Sequence, residues 1–375
     1  LELYAAKSGE ELVEKQSYVF EDRGGERITL RPELTPSLAR MVAAKQRQLA
    51  FPLRWWSFGP FWRYERPQKG RTREFFQWNI DMIGEDSPEA DAELAVIAAT
   101  FLKSLGLKSS ESQILVNHRQ LMQQELLANG FAEGKLAAVY KLIDRNDKLS
   151  ADKWVAYAGD LGFNGKQIGF LEKLLADESL WEKSPQLQRF FTAIESMGMS
   201  DYVKFAPHVI RGLDYYTGTV FEAWDTAGEF RAIFGGGRYD DLVNQVGGEP
   251  VPAVGFAAGN VVLSLLLKKL GYVPDFSASP AAVYMTLFND EMLAASLELA
   301  QQVREAGIKV SSQLNADKLQ KQFKLADRLG AQYVLVLGPD EAANGEVSVK
   351  DLRTGEQFQV AQDQLPSRLN KLLAP

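Results

Sequence analysis

Between residues 73 and 83, polar and apolar side chains alternate along the chain. Phe76, Trp78, Ile80 and Met82 fall on one side of an extended backbone, and Phe75, Gln77, Asn79 and Asp81 on the other. A period of two predicts a strand with one apolar and one largely polar face. Residues 53–65 predict a second long strand, joined to the first by the loop 66–72, and Arg63 and Glu65 share one of its faces. If the two strands pair antiparallel, Arg63, Glu65, Gln77, Asn79 and Asp81 lie on one surface while the other packs on helices. An outer face that only meets solvent would favour Lys, Glu and Thr. An amide, a short carboxylate and one arginine beside an aromatic mark the floor of a candidate active site instead.

The rest of the pattern divides the chain further. Residues 18–31 predict a hairpin turning at Arg23-Gly24-Gly25, and Thr35-Pro36 predicts a capped helix reaching about Lys45. Ser87-Pro88 opens a second helix that ends near Gly106, and 111–117 read as a strand. From about 120 to 198, Leu, Ala, Lys and Glu dominate, with breaks near Asn129-Gly130, Asn164-Gly165 and Ser184-Pro185; this predicts an all-helical insertion. Strand texture returns over 202–234, and a helix is expected from about Phe256 to Lys269. Residues 271–281 carry Pro and Ser and read as a linker. Beyond it, strands at 282–287, 308–313 and 332–337 alternate with helices at 290–306 and 317–329, the pattern of a small α/β domain with a mainly parallel sheet.

Composition narrows the chemistry. A chain of 375 residues with 46% hydrophobic and 24% charged residues describes two or three ordinary globular domains. The balance 42 − 49 = −7 argues against indiscriminate coating of nucleic acid, so any such contact must come from local patches. The absence of cysteine removes disulfides, thiolate zinc sites and a cysteine nucleophile. With two histidines, His118 and His208, a His-rich metal site is excluded and a Ser–His–Asp triad has few ways to form. The longest apolar run, Val261 to Leu267, is too short to span a bilayer, and no signal peptide is visible; a cytoplasmic location and no membrane contact are expected. The chain begins at Leu1 as if mid-element, and a preceding segment is expected.

Five cations fall between Arg63 and Arg73. Arg66, Lys69 and Arg71 of the loop cannot all pair with Glu65 and Glu74, the nearby anions. Placed beside a polar strand face, they favour a phosphate-rich partner over a plain solvated surface. Glu33 and Thr35 stand at a strand end and helix start, where they suit either cap chemistry or the grip of an ammonium group. In "RGLDYYTG", Arg211 has Asp214 close by as a possible ion-pair partner. The three glycines of "FGGGRYDDL" suit a tight turn or a close backbone approach to a ligand. His118 ends an apolar strand and reads as structural. On the helix 317–329, Leu319, Phe323, Ala326 and Leu329 share one face, while Lys318, Lys321, Lys324 and Arg328 cluster on another, a stripe suited to solvent or an RNA backbone.

These residues together resemble the histidyl-tRNA synthetase family, a class II aminoacyl-tRNA synthetase, over nearly the whole chain. "FWRYERPQKGRTREFFQWNIDMIG" resembles its motif 2, "RGLDYYTG" and "GGGRYDDL" its two histidine signatures, and "KLQKQFKLADRLGAQYVLVLG" with "NGEVSVKDLRTGEQ" its anticodon-binding domain. Motif 1, of the dimer interface, is expected upstream of Leu1. The resemblance implies an α+β catalytic domain with an antiparallel sheet of the class II synthetase type. It would run over residues 1–119 and 199–273, with the helical insertion at 120–198 and an anticodon-binding α/β domain at 280–375.

By the same resemblance the substrates would be histidine, ATP and tRNA(His), with Mg2+ on the phosphates, and the chain would form a homodimer. Arg63 would hold the α-phosphate and the amino-acid carboxylate, with Arg211 stabilising charge from the other side. Glu33, Thr35 and Gln77 would bind the α-amino group. Asp81 and Tyr216 would read the imidazole, and Tyr215 would line the pocket. Glu65 would contact adenine and Phe75 stack on it. The loop cations and Lys318, Lys321 and Lys324 would meet tRNA.

One position departs from the family: Val262 stands where motif 3 carries an arginine over the nucleotide, and Arg73 or Arg238 is expected to substitute. The departure keeps a second reading in view, a non-catalytic paralogue serving as a regulatory subunit of histidine biosynthesis or as a tRNA-binding protein. The intact arginine, glutamine and tyrosine set favours the ligase. If the basic stripe meets RNA, changing Lys321 and Lys324 together to Ala flattens the dependence of tRNA binding on log salt concentration, measured by filter binding over a salt series; an unchanged slope returns that helix to solvent.

Overall fold

The computed structural model describes residue 4 and residues 16–146, 149–210, 215–273 and 281–373. Strands β1 (Val19–Glu21) and β2 (Arg27–Thr29) form the expected hairpin, with Gly25 at φ 82° in its turn. Helix α1 follows (Thr35–Lys45). The long strands are β3 (Leu53–Trp62) and β4 (Glu74–Ile83), antiparallel throughout. Helix α2 (Pro88–Ser104) starts from Ser87, whose side chain accepts from Ala90 N, with Glu89 and Asp91 in a first turn that favours negative charge. Strand β5 (Ser112–His118) completes this half.

Among the described residues, five α-helices make the insertion: α3 (Arg119–Ala128), α4 (Leu136–Ile143), α5 (Ala151–Asp160), α6 (Gly165–Leu175) and α7 (Pro185–Ser196). The breaks expected at Asn164 and Ser184 are helix caps; Asn164 and Gln167 form a reciprocal capping box. The core of the insertion is continuous with the one beneath the sheet, joining Leu126, Leu171 and Phe190 to Leu94 and Leu102 of α2.

The chain returns through β6 (Val203–Phe205), β7 (Thr219–Asp225), β8 (Phe234–Arg238), the short α8 (Leu242–Gln245), β9 (Ala253–Gly259) and α9 (Asn260–Leu270). The seven-stranded sheet has the order β3-β4-β9-β8-β7-β5-β6, antiparallel except for the β5–β6 pair. On its apolar side Trp78 meets Phe101 of α2 at 4.9 Å between rings. A face of buried alanines, Ala92, Ala95 and Ala99 among them, lets α2 sit close to the strands.

Two expectations change here. Residues 256–259 are strand, not helix: an apolar run reads either way from sequence, and the ladder partners on β4 and β8 decide it. The glycines 235–237 lie within β8, not in a turn. A Cβ on Gly236 would collide with the backbone of Gly255 and with Phe256, and one on Gly237 would stand 2.9 Å from the Tyr216 ring.

Residues 1–273 and 274–375 are separate compact units. The second holds β10 (Val283–Met285), α10 (Leu293–Glu305), β11 (Val310–Ser312), α11 (Leu319–Arg328), β12 (Tyr333–Val336), α12 (Pro339–Asn344), β13 (Glu346–Asp351), β14 (Gln357–Ala361) and α13 (Leu365–Leu373). Its sheet order is β11-β10-β12-β13-β14, parallel over the first three strands and antiparallel over the last two pairings. The final hairpin was not expected. Its alternation, Val347 and Val349 inward, is short and follows a longer helical signal. On α11, Ala326 is buried but Leu329 is exposed; the buried polar Gln322 bonds both the amide and the carbonyl of Leu287 instead.

Arg238 ends β8 in an ion-pair network at the start of α2. Its guanidinium lies 2.6 Å from Asp91 and 3.1 Å from Asp240 and donates to the carbonyls of Glu85 and Ser87. These bonds consume the cation and fix the sheet against α2. Arg238→Ala leaves Asp91 buried and unpaired and is expected to lower stability by about 3–5 kcal/mol, read from urea unfolding.

Candidate active site

The polar face of β4 is the floor of a cleft. Arg63, Glu65, Phe75, Gln77, Asn79 and Asp81 line it from the strand pair, Glu33 and Thr35 from the entry to α1, and Tyr215, Tyr216 and Tyr239 from the facing wall. The β3–β4 register puts Phe61 opposite Phe75, so Arg63, two residues beyond Phe61, returns to the side that holds Gln77.

Arg63 is held in place. Its Nε donates to the Pro32 carbonyl at 2.9 Å, and its guanidinium stands 5.4 Å from the centre of the Phe75 ring. Burial pushes its pKa down, while Glu33 and Glu65 act in the opposite sense and favour the cation. Phe75 is itself stacked on Phe61 at 6.1 Å. Glu33 is buried, and one of its oxygens accepts from the Tyr215 hydroxyl at 3.2 Å. Thr35 is the first residue of α1; Leu34 occupies the cap position and no side chain caps the helix, so the Thr35 hydroxyl is not spent there.

Asp81 is buried near the end of β4, opposite Gly255 of β9. A Cβ on Gly255 would collide with the Asp81 carboxylate, so glycine is what makes room for it. The Tyr239 hydroxyl donates to Asp81 Oδ1 at 2.5 Å. Burial raises the Asp81 carboxyl to about 7, and the Tyr239 bond works against that rise. The same burial and the same carboxylate push the Tyr239 phenol well above its usual value, so it stays a donor. The three tyrosines pack together, Tyr215 to Tyr216 at 4.9 Å and Tyr215 to Tyr239 at 6.1 Å. The buried Asn79 keeps Nδ2 without a hydrogen-bond partner among the described residues.

Nine of the expected site residues therefore share one cleft: Glu33, Thr35, Arg63, Glu65, Phe75, Gln77, Asp81, Tyr215 and Tyr216. Arg71 joins them, paired with Glu65 at 2.5 Å. Two expected nucleotide contacts do not. Arg238 is bound in its ion-pair network, and Arg73 does not line the cleft but lies over the Tyr64 ring at 4.6 Å. Lys69 stands over Phe230 at 4.8 Å, and Arg66 is exposed on the same loop. Lys318, Lys321 and Lys324 are exposed on the second unit, with Lys321 paired to Asp317 at 3.2 Å. Arg211 and its neighbour Asp214 lie outside the described residues.

Tyr239 and Arg231, another cleft residue, were not singled out from sequence. Tyr239 sits inside the quoted "GGGRYDDL", but its partner is 158 residues away. His118 is buried as expected; burial and the nearby Arg238 push its pKa down to about 4, and its Nδ1 has no partner among the described residues.

A largely antiparallel sheet whose polar face carries an arginine-bearing cleft, followed by an α/β unit, is the architecture of a class II aminoacyl-tRNA synthetase. Family models agree: residues 1–261 match histidyl-tRNA synthetase, and residues 282–372 match an anticodon-binding domain. The histidine–tRNA ligase of Halobacterium salinarum is 38% identical over 95% of this chain and 84% of its own length. The chloroplastic/mitochondrial histidine–tRNA ligase of Arabidopsis thaliana is 39% identical over 96% of this chain and 75% of its own length. The crystal structure of histidyl-tRNA synthetase from Nostoc sp. PCC 7120 superposes with a TM-score of 0.82 at 26% identity, covering 100% of this chain and 89% of that one. The chain belongs to the histidyl-tRNA synthetase family.

Among the described residues no helix is long and apolar enough to cross a membrane. Tyr239→Phe removes the bond that lowers the Asp81 pKa, so that carboxyl is expected to titrate above about 7, followed through its side-chain carbon by NMR.

Proposed function

We propose that this chain joins histidine to tRNA(His) in two steps within the cleft. A histidine carboxylate oxygen attacks the α-phosphorus of ATP, the bond to the β-phosphate oxygen breaks, and pyrophosphate leaves. A terminal ribose hydroxyl of the tRNA then attacks the histidyl carbonyl and AMP departs. The first nucleophile is already an anion, so the protein supplies position and compensating charge in place of a nucleophilic side chain.

Arg63 bridges the α-phosphate and the substrate carboxylate; its fixed guanidinium costs no reorganisation when charge builds. Arg211 opposes it. Glu33, Thr35 and Gln77 receive the α-amino group. Phe75 stacks on adenine. Glu65, engaged with Arg71, contacts adenine on the loop side. Asp81 accepts an imidazole N–H, Tyr216 meets the other ring nitrogen, and Tyr215 closes the pocket. Tyr239 positions Asp81.

The observation that carries this reading is the buried carboxylate on the floor, bonded to a tyrosine and titrating near neutrality. It is an acceptor matched to a ring that exchanges protons in the same range. An amino acid lacking a ring donor leaves that acceptor unpaired, which is a strong basis for rejection.

Mg2+ is proposed as the ion ATP carries. Among the described residues no group of three or more acidic or histidine side chains could cage a metal, so the residues do not fit a protein-built site and no step is assigned to it. The non-catalytic alternative is not favoured: relatives matching almost the whole chain are ligases, and the anticodon-type unit is present. A homodimer in the cytoplasm and tRNA contact by Arg66, Lys69, Arg71 and the α11 lysines belong to the same proposal.

ATP–pyrophosphate exchange tests it. Exchange is expected with histidine alone of the twenty amino acids, to fall by about 10²–10³ in Arg63→Ala, as when an oxyanion-type donor is removed, and to be lost in Arg211→Ala. No exchange in the wild type would overturn the ligase reading.

A further inference from the structure

We propose that Arg231 binds the β- and γ-phosphates of ATP and the pyrophosphate they become, an inference that rests on the reading just given. The segment before β8 forms the wall facing the cationic loop. Lys69 stands over Phe230, and the Arg231 stem packs beside Gly70, with Cδ 3.6 Å and Cγ 4.0 Å from the point a Cβ there would occupy. Val262 Cγ2 touches the same point at 3.3 Å. Arg231 and Val262 therefore flank one position of the cleft wall, and both line the cleft. The valine, at the start of α9, brings no charge, and the arginine beside it does.

Charge accounting singles out Arg231. Three arginines line the cleft among the described residues: Arg63, Arg71 and Arg231. Arg63 is fixed on the Pro32 carbonyl and is already assigned to the α-phosphate in the reading above. Arg71 is neutralised by Glu65. Arg231 has no carboxylate within ion-pair distance among the described residues; Glu229, two residues before it, is paired with Lys269. It is also exposed, free to turn its planar fork toward an arriving anion.

A triphosphate entering a cleft lined by Glu33, Glu65 and Asp81 needs such an uncommitted cation. When the carboxylate oxygen bonds to the α-phosphorus, the electron pair of the breaking bond passes to the β-phosphate oxygen. A guanidinium on that oxygen lowers the cost of the departing charge. The two cations proposed from sequence for this duty, Arg73 and Arg238, are turned to other partners.

The test compares wild type, Arg231→Ala and Arg231→Lys in ATP–pyrophosphate exchange, with unfolding midpoints as a check on the fold. In Arg231→Ala the KM values for ATP and for pyrophosphate are expected to rise about ten-fold or more, the loss of a charge-assisted contact, while the KM for histidine stays within about two-fold of wild type. Arg231→Lys should fall between, because it keeps the charge without the fork. Unchanged KM values for ATP and pyrophosphate overturn the proposal; if a parallel aminoacylation assay then shows a raised KM for tRNA, Arg231 belongs to the acceptor end instead. If wild type exchanges with no amino acid, the ligase reading fails separately. Equilibrium titration of wild type and Arg231→Ala with ATP then decides: about ten-fold weaker binding in the variant supports the phosphate contact, and equal binding removes it.

Discussion

The site depends on a carboxylate placed where sheets rarely hold one, buried near the end of a strand that is paired on both sides. Asp81 can be there because two conditions are met. Gly255, its ladder partner on β9, leaves the space that any side chain would fill. Tyr239 supplies a hydroxyl that compensates part of the lost hydration. The residual penalty appears as a carboxyl poised near neutrality, neither firmly charged nor firmly neutral. Folding favours its protonated form, so this group's contribution to stability is complete below the usual carboxylate range and is lost as pH rises through about 7. A ligand that donates a hydrogen bond to the ionised form returns what the fold gives up.

Around that acceptor the arginines divide by how their charge is met. Arg238 is fully committed to carboxylates and serves the architecture, locking β8 to the start of α2. Arg63 is fixed by a carbonyl and by an aromatic face, neither of which cancels its charge. It is rigid and still available, which suits a group that must already be aligned when a phosphate arrives. Arg71 holds a carboxylate that an anionic ligand would have to displace. Sequence counts these residues alike; their partners separate them.

Much of this was legible in the chain itself. The period-two alternation at 73–83 placed Gln77, Asn79 and Asp81 on one face because a strand leaves no other arrangement, and the helical insertion announced itself in its Leu, Ala, Lys and Glu content and its breaks. What stayed hidden depends on contacts between distant segments. Arg238 looked uncommitted because Asp91 is 147 residues away, and Tyr239 looked like part of a glycine-rich signature for the same reason. Residues 256–259 were misread because an apolar run does not say whether its neighbours are ladder partners or its own next turn. Thr35 was left between cap and ligand contact, and only the backbone at Leu34 separates the two. The functional assignment of particular side chains drew on family resemblance, which carries information no periodicity holds.

The glycines of β8 and β9 bear on how this protein can diverge. Positions 236, 237 and 255 are each pressed by a neighbour across the ladder, so the floor has no slack: enlarging any one residue displaces the Gly255–Phe256 backbone, a phenol or the Asp81 carboxylate. A change of shape here needs coordinated substitutions, because a single enlargement meets an occupied position before any new space opens. The opposite wall, at the loop tip and the segment before β8, carries exposed side chains, Lys69 and Arg231 among them. Sequence change is therefore easier to accommodate on that wall than on the floor.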